Sequence, residues 1–240
     1  GILRQDRRAD QLDFSHDKFR VLIEEETALA RRRLLHRRVA ENLSSARGET
    51  SARASQIARH FQAAGMKESA AEYFKRAGDH ARALYANAEA AAHYRAALAL
   101  GHADAGELRE HIGDLETLAG DYRAALVSYE SAAASARGAA RAEIERKLGN
   151  VYQRKGDARA AGEHFKTALA RVGRNGHADE RAKICADWSL AAYQQGDVTD
   201  AHDLAARAAK FARAARDPRA LAQAHNILGI LARAQNDLAD

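Results

Sequence analysis

The sequence predicts an all-α protein built as a solenoid of helical hairpins, and three observations predict it. The first is a period. Gly120-Asp121, Gly156-Asp157, Gly196-Asp197 and Asn236-Asp237 follow one another at 36, 40 and 40 residues, a spacing that marks stacked supersecondary units rather than one globular core. The second is what surrounds each pair. Seven residues before it stands a small residue (Gly113, Gly149, Ser189, Gly229), itself preceded by a bulky one (Ile112, Leu148, Trp188, Leu228). After the first three pairs, Ala125/Tyr129/Ala132, Ala161/Phe165/Ala168 and Ala201/Ala205/Ala208 recur at +5, +9 and +12. The third is composition: one proline in 240 residues and 6% aromatics leave an alanine-rich apolar fraction, suited to helices in close contact.

Each unit reads as a hairpin of two helices. A Gly or Asn ends the first helix because it accepts the left-handed conformation, and the Asp after it caps the second by accepting from its free N–H groups. Small residues at −7, +5 and +12 let the helix backbones approach, and the aromatic at +9 fills the remaining space. On these positions the chain from residue 106 onward resembles a tetratricopeptide repeat array. The likeness is strongest around Gly120 and Gly156 and weaker around Gly196, where Ala205 replaces the aromatic. The expected helix pairs are 106–119 with 122–136, 140–155 with 158–172, and 178–195 with 198–215. A last helix starts at Pro218 behind Asp217. This last repeat is expected to be truncated, with a face left for a further helix.

The N-terminal part reads differently. Ile2-Leu3 and Leu12-Asp13-Phe14 flank a charged stretch and predict two short strands. Ser15 caps a helix carrying Phe19, Leu22 and Ile23. A second helix over 30–43 is expected to bury Leu34, Leu35, Val39 and Leu43. Residues 44–53, small and polar, predict a linker and domain boundary. Residues 54–105 carry helices broken at Gly65 and near Tyr85. The distance between those breaks is too short for a full unit, so this stretch is expected to be an irregular lead-in to the repeats.

Phe14-Ser15-His16-Asp17-Lys18-Phe19-Arg20, followed by the basic helix Arg31–Glu41, resembles the end of the winged-helix subdomain of signal-transduction ATPases with numerous domains. These are bacterial regulators, often transcriptional, in which an ATPase module precedes helical repeats. The resemblance implies that residues 1–43 are a winged-helix remnant. It also implies that His16 and Asp17 belong to a sensor motif whose histidine contacts the β-phosphate of ADP; Ser15 departs from the methionine of that motif. An imidazole suits this role because it donates an N–H to phosphate. No Gly-x-x-x-x-Gly-Lys-Ser/Thr loop occurs in the chain, so ADP or ATP would be held by the parent protein and no cofactor is expected here.

In a tetratricopeptide array the first helices line a groove, and positions 2, 5, 9 and 12 of each repeat point into it. That register assigns Glu110, Asp114, Arg146, Asn150, Gln153, Lys183 and Tyr193 to the groove, with Glu107, Thr117, Glu143, Ala186 and Leu190. Arg146 and Asn150 resemble half of a clamp that holds a peptide C-terminal carboxylate. The other half departs, since Asp187 and Ile227 stand where an amide and a cation are required. The groove's mixed charge suits a protein or peptide partner, or the parent's own ATPase module.

Other functions are disfavoured by residues. The net charge of +5 is concentrated in residues 1–60, where thirteen Lys/Arg face nine Asp/Glu, so the repeats offer little to nucleic acid. The Arg31–Arg38 cluster reads as a solvated face paired with neighbouring glutamates. No apolar run approaches a membrane span. Cys185 is a lone cysteine, which favours a reducing, cytoplasmic setting and a core role. No histidine pair has the i, i+4 spacing of a helical zinc site, and no nucleophile elbow is present, so neither a metal site nor an enzyme is expected. The reading is a sensor and scaffold section of an ATPase regulator that binds a protein, peptide or small ligand through the repeat groove and relays it to the ATPase module, with a free-standing protein-binding adaptor as its rival.

Overall fold

The computed structural model describes residues 3–6, 11–14, 28–45, 51–173 and 177–237. Its contacts divide the chain into two compact units, Gly1–Ala103 and Asp104–Asp240.

The first unit opens with β1 (Leu3–Asp6) and β2 (Gln11–Phe14), an antiparallel pair with Leu3 opposite Phe14 and Asp6 opposite Gln11. Helices α1 (Leu29–Ser45), α2 (Ala54–Ala63), α3 (Lys67–Ala83) and α4 (Asn87–Ala99) follow. The expected apolar face of α1 is corrected: Leu34, Leu35 and Val39 are exposed, while Ala40 is buried and Leu43 packs against the core. That core is Ala40, Ile57, Phe61 and Ala70, so α1 and α2 share one cluster although the polar stretch 44–53 separates them. Outside the described residues lie 15–27 and 46–50, and with them His16, Asp17 and half of the stretch 44–53.

The second unit runs through α5 (Ala105–Leu118), α6 (Tyr122–Ala133), α7 (Gly138–Arg154), α8 (Ala158–Val172), α9 (Ala178–Gln194), α10 (Val198–Ala215) and α11 (Pro218–Asp237). The caps fall where the aspartates are. Asp121, Asp157 and Asp197 accept from the N–H groups of Ala124, Ala160 and Asp200 at 3.0–3.1 Å. Asp217 accepts from Arg219 and Ala220, both at 3.0 Å. Each such bond satisfies a helix-end donor worth about 1 kcal/mol. Asn236-Asp237 differs from the other pairs, because both residues still belong to α11.

The α5–α6 and α7–α8 hairpins are each held by a ring set on a bare backbone. An ideal Cβ on Gly113 would lie 2.7 Å from the Tyr129 ring, and one on Gly149 would lie 2.7 Å from Phe165. Only hydrogen fits there, so the small residue at −7 and the aromatic at +9 are two halves of one contact. The same contact occurs in the first unit, between Gly78 and Tyr94 at 2.5 Å. Residues 54–105, expected as an irregular lead-in, therefore contain a hairpin of the regular build in α3 and α4. Its turn was hidden because Tyr85, not glycine, takes the left-handed conformation there (φ 59°).

Candidate functional site

The first helices of the second unit's hairpins carry a chain of polar contacts from α5 to α11. On α5, Glu110 and Asp114 both hold the Lys147 ammonium of α7, each at 2.7 Å. Tyr129 from α6 donates to Asp114 at 2.8 Å, and Lys147 lies 5.9 Å from the centre of its ring. Burial alone would lower the Lys147 pKa, but Asp114 and Glu110 together raise it above the ordinary lysine value. Burial and then Asp114 push the Tyr129 phenol well above the usual tyrosine range.

One residue earlier on α7, Arg146 is held by Glu143 at 2.6 Å and by Asp187 of α9. Burial opposes its charge, but Glu143 and Asp187 outweigh it, so the guanidinium stays protonated with a raised pKa. Asn150 donates to the same Asp187 carboxylate at 3.0 Å, and Gln223 of α11 approaches it at 3.4 Å. Asp187 thus takes the two donors that the clamp resemblance assigns to a peptide's terminal carboxylate. An arginine and an amide converge on a carboxylate, and the carboxylate belongs to the chain itself.

Of the residues assigned to the groove, Glu110, Asp114, Arg146 and Asn150 are drawn into this network, and their polar groups are directed at one another. Arg146 and Asp187 keep only 19% and 15% of their side-chain exposure, so neither charge is freely solvated. Gln153 and Tyr193 are half-buried farther along the same helices. Lys183 is exposed, with Asp179 as a 3.7 Å neighbour. Ala186, which the register placed in the groove, is buried. Lys147, Asp187 and Gln223 were missed as members. Lys147 falls off the groove register by one position. Asp187 had a signal, since it broke the clamp pattern, but a pattern cannot tell a missing partner from a supplied one.

Other candidates resolve more simply. Cys185 is buried, and burial raises its thiol pKa against the pull of Arg207 and Arg181, which leaves it unreactive. Arg37 of the basic helix pairs with Glu41 at 2.6 Å on an exposed face. His36 and His60 approach through their Nδ1 atoms at 2.9 Å, a contact between α1 and α2 that spacing did not reveal. Among the described residues no group of three or more His, Cys, Asp or Glu could hold a metal ion, and no helix is long and apolar enough to cross a membrane.

No protein-family model matches the sequence, and no curated protein matches it. Solved structures do match in fold. BtubC (BKLC) from P. vanneervenii is 19% identical, with a TM-score of 0.60 over 88% of this chain and 86% of its own. YrrB, described as a TPR protein with an unusual peptide-binding site, is 18% identical, with a TM-score of 0.55 over 87% and 97%. MamA is 16% identical, with a TM-score of 0.54 over 68% and 91%. At these identities the likeness establishes the fold, a helical solenoid of the tetratricopeptide type.

Proposed function

We propose that this chain is a non-catalytic, polypeptide-binding repeat module that uses the first-helix face of α5, α7, α9 and α11. The observation that carries this reading is the charge of that face. Four carboxylates (Glu110, Asp114, Glu143, Asp187) meet two cations (Lys147, Arg146), so a formal excess of negative charge runs along helices that a bound segment would contact together. The matching partner is a protein segment that brings amide donors, lysine or arginine, with Gln153 and Tyr193 as further contacts. The fold is shared with a peptide-binding repeat protein, YrrB, which supports the class of partner. Nucleic acid is a poor fit because its phosphates would face those carboxylates. A terminal carboxylate is a poor fit because Asp187 already takes the Arg146–Asn150 pair.

The test is an array of synthetic 15-residue peptides of varied charge, each with free and with amidated C-termini. Basic peptides are expected to bind, to weaken with salt, and to be indifferent to amidation. A Gln153→Ala/Tyr193→Ala double variant is expected to lose them. Binding that prefers free C-termini, or survives the double variant, would overturn the assignment.

The finer reading is that the module is the sensor and scaffold section of a multidomain, cytoplasmic ATPase regulator, relaying partner binding to an ATPase module. Its support is the sequence around His16-Asp17 and the basic helix after it. ADP or ATP would then bind in the parent, with His16 reaching the β-phosphate. His16→Ala in the intact parent is expected to lower ADP retention on the order of ten- to hundred-fold, the loss of one charge-assisted donor. A parent gene without an upstream phosphate loop would instead favour the free-standing adaptor.

A further inference from the structure

Trp188 is the only tryptophan of the chain, and it stands between two cavities of the second unit. The cavity of about 370 Å³ on one side is lined by Arg159 and Lys166 but also by Glu163, Asp197 and Asp200, so its charge is mixed. The cavity of about 440 Å³ on the other side is different. Its wall is Trp188, Leu169 and Ala170, and its charged residues are Lys166, Arg181 and Arg207, with no carboxylate among the lining residues.

Three helices place these groups. Lys166 and Leu169 come from α8, Arg181 and Trp188 from α9, and Arg207 from α10. Arg181 is fixed by stacking, its guanidinium carbon 4.0 Å from the centre of the Phe211 ring. Arg181 and Arg207 both act electrostatically on the buried Cys185, an independent sign that the two cations lie close to one region. Among the described residues, Lys166 and Arg207 make no ion pair. An apolar wall with Lys166, Arg181 and Arg207 around it, and no carboxylate among the lining residues, fits a ligand with two matching parts. Its ring stacks on the indole and Leu169, and its acid group takes charge-assisted bonds from the cations.

We propose that this cavity between α8, α9 and α10 binds a small aromatic anion, with the ring on Trp188 and the acid group among Lys166, Arg181 and Arg207. The site is separate from the first-helix groove and does not depend on it. Its reporter is built in, because a single tryptophan gives a single indole N–H resonance.

The test follows that resonance in the full chain during titration with 2-naphthoate, with its neutral isostere 2-naphthalenemethanol, and with acetate, which has charge but no ring. Saturable movement is expected with 2-naphthoate, and binding at least about tenfold weaker with the other two, the loss of one charge-assisted or stacking contribution. Arg207→Gln and Lys166→Gln, both at exposed positions, are expected to keep the helical spectrum and each to weaken 2-naphthoate about tenfold. Gln153→Ala is expected to leave it unchanged. An unmoved indole resonance would overturn the proposal. So would equal binding of the neutral isostere, or full affinity in the folded Arg207→Gln variant.

Discussion

The Tyr129 hydroxyl donates to Asp114 at 2.8 Å, and Tyr94 makes the same bond to Asp79 at the same length and the same separation of 15 residues. In both hairpins the ring lies on a glycine, Gly113 or Gly78, and the residue after that glycine accepts the hydroxyl. The next repeat changes both members together. Phe165 lies on Gly149 and has no hydroxyl, and Asn150 replaces the acid. Freed from a tyrosine, the Asn150 amide turns to Asp187 on the following hairpin. A pair that locks one hairpin internally has become a link between hairpins.

The ring-on-glycine contact predicts a sharp contrast between two glycines of neighbouring helices. Gly149→Ala would place a Cβ 2.7 Å from Phe165 and is expected to cost about 1–3 kcal/mol as overpacking. Gly162→Ala would place one 3.6 Å from Trp188, an ordinary contact, and is expected to stabilise by about 0.5–1 kcal/mol through helix propensity. Urea midpoints of the two variants check both signs.

Alkaline pH should weaken the fold. The phenols of Tyr94 and Tyr129 and the Lys147 ammonium all have raised pKa values in the folded chain. Unfolding lets each lose its proton more readily, so the unfolded state binds fewer protons and stability falls as pH rises. The loss begins near pH 10, around the ordinary values of these groups, and continues towards their folded ones. Stability measured between pH 8 and 11 should show this fall, and a Tyr94→Phe/Tyr129→Phe double variant should show a shallower one.

Asp187→Ala removes the carboxylate on which Arg146 and Asn150 converge. Arg146 retains Glu143, so the cost is expected at about 1.5–3 kcal/mol, that of a lost hydrogen bond to charge. The vacated position matches a carboxylate, and acetate should restore part of the melting temperature in this variant but not in the wild type. A variant equally unaffected by acetate and by chloride would show that Asp187 acts by packing alone.

Tyr85 occupies a left-handed turn and is 87% exposed, so it carries backbone strain without a compensating burial. Tyr85→Gly relieves that strain, less the added chain entropy of glycine. Thermal melting should register a gain of about 0.5–1 kcal/mol.

Much of the fold was legible in the residues. Helix ends were marked by Gly120, Gly156 and Gly196 and by the aspartates after them, because caps and left-handed turns act within a few residues of chain. The spacing of Gly113 from Tyr129 was legible for the same reason, since a hairpin is a local object. The α3–α4 hairpin was obscured only by Tyr85, although Gly78, Ala90, Tyr94 and Ala97 kept the register. The buried side of α1 was not legible. Leu34, Leu35 and Val39 form an apolar face, yet Ala40 meets Ile57 and Phe61, because which face is covered depends on a partner helix and not on hydropathy.

The sequence by itself determined the helices, their caps and the hairpin period, all set by contacts between near neighbours along the chain. Tertiary structure alone decided the site. Lys147 joins Asp114 across 33 residues and Asn150 joins Asp187 across 37. At such separations the geometry is set by how one hairpin stacks on the next. The same stacking decides whether Arg146 faces a visiting carboxylate or the chain's own.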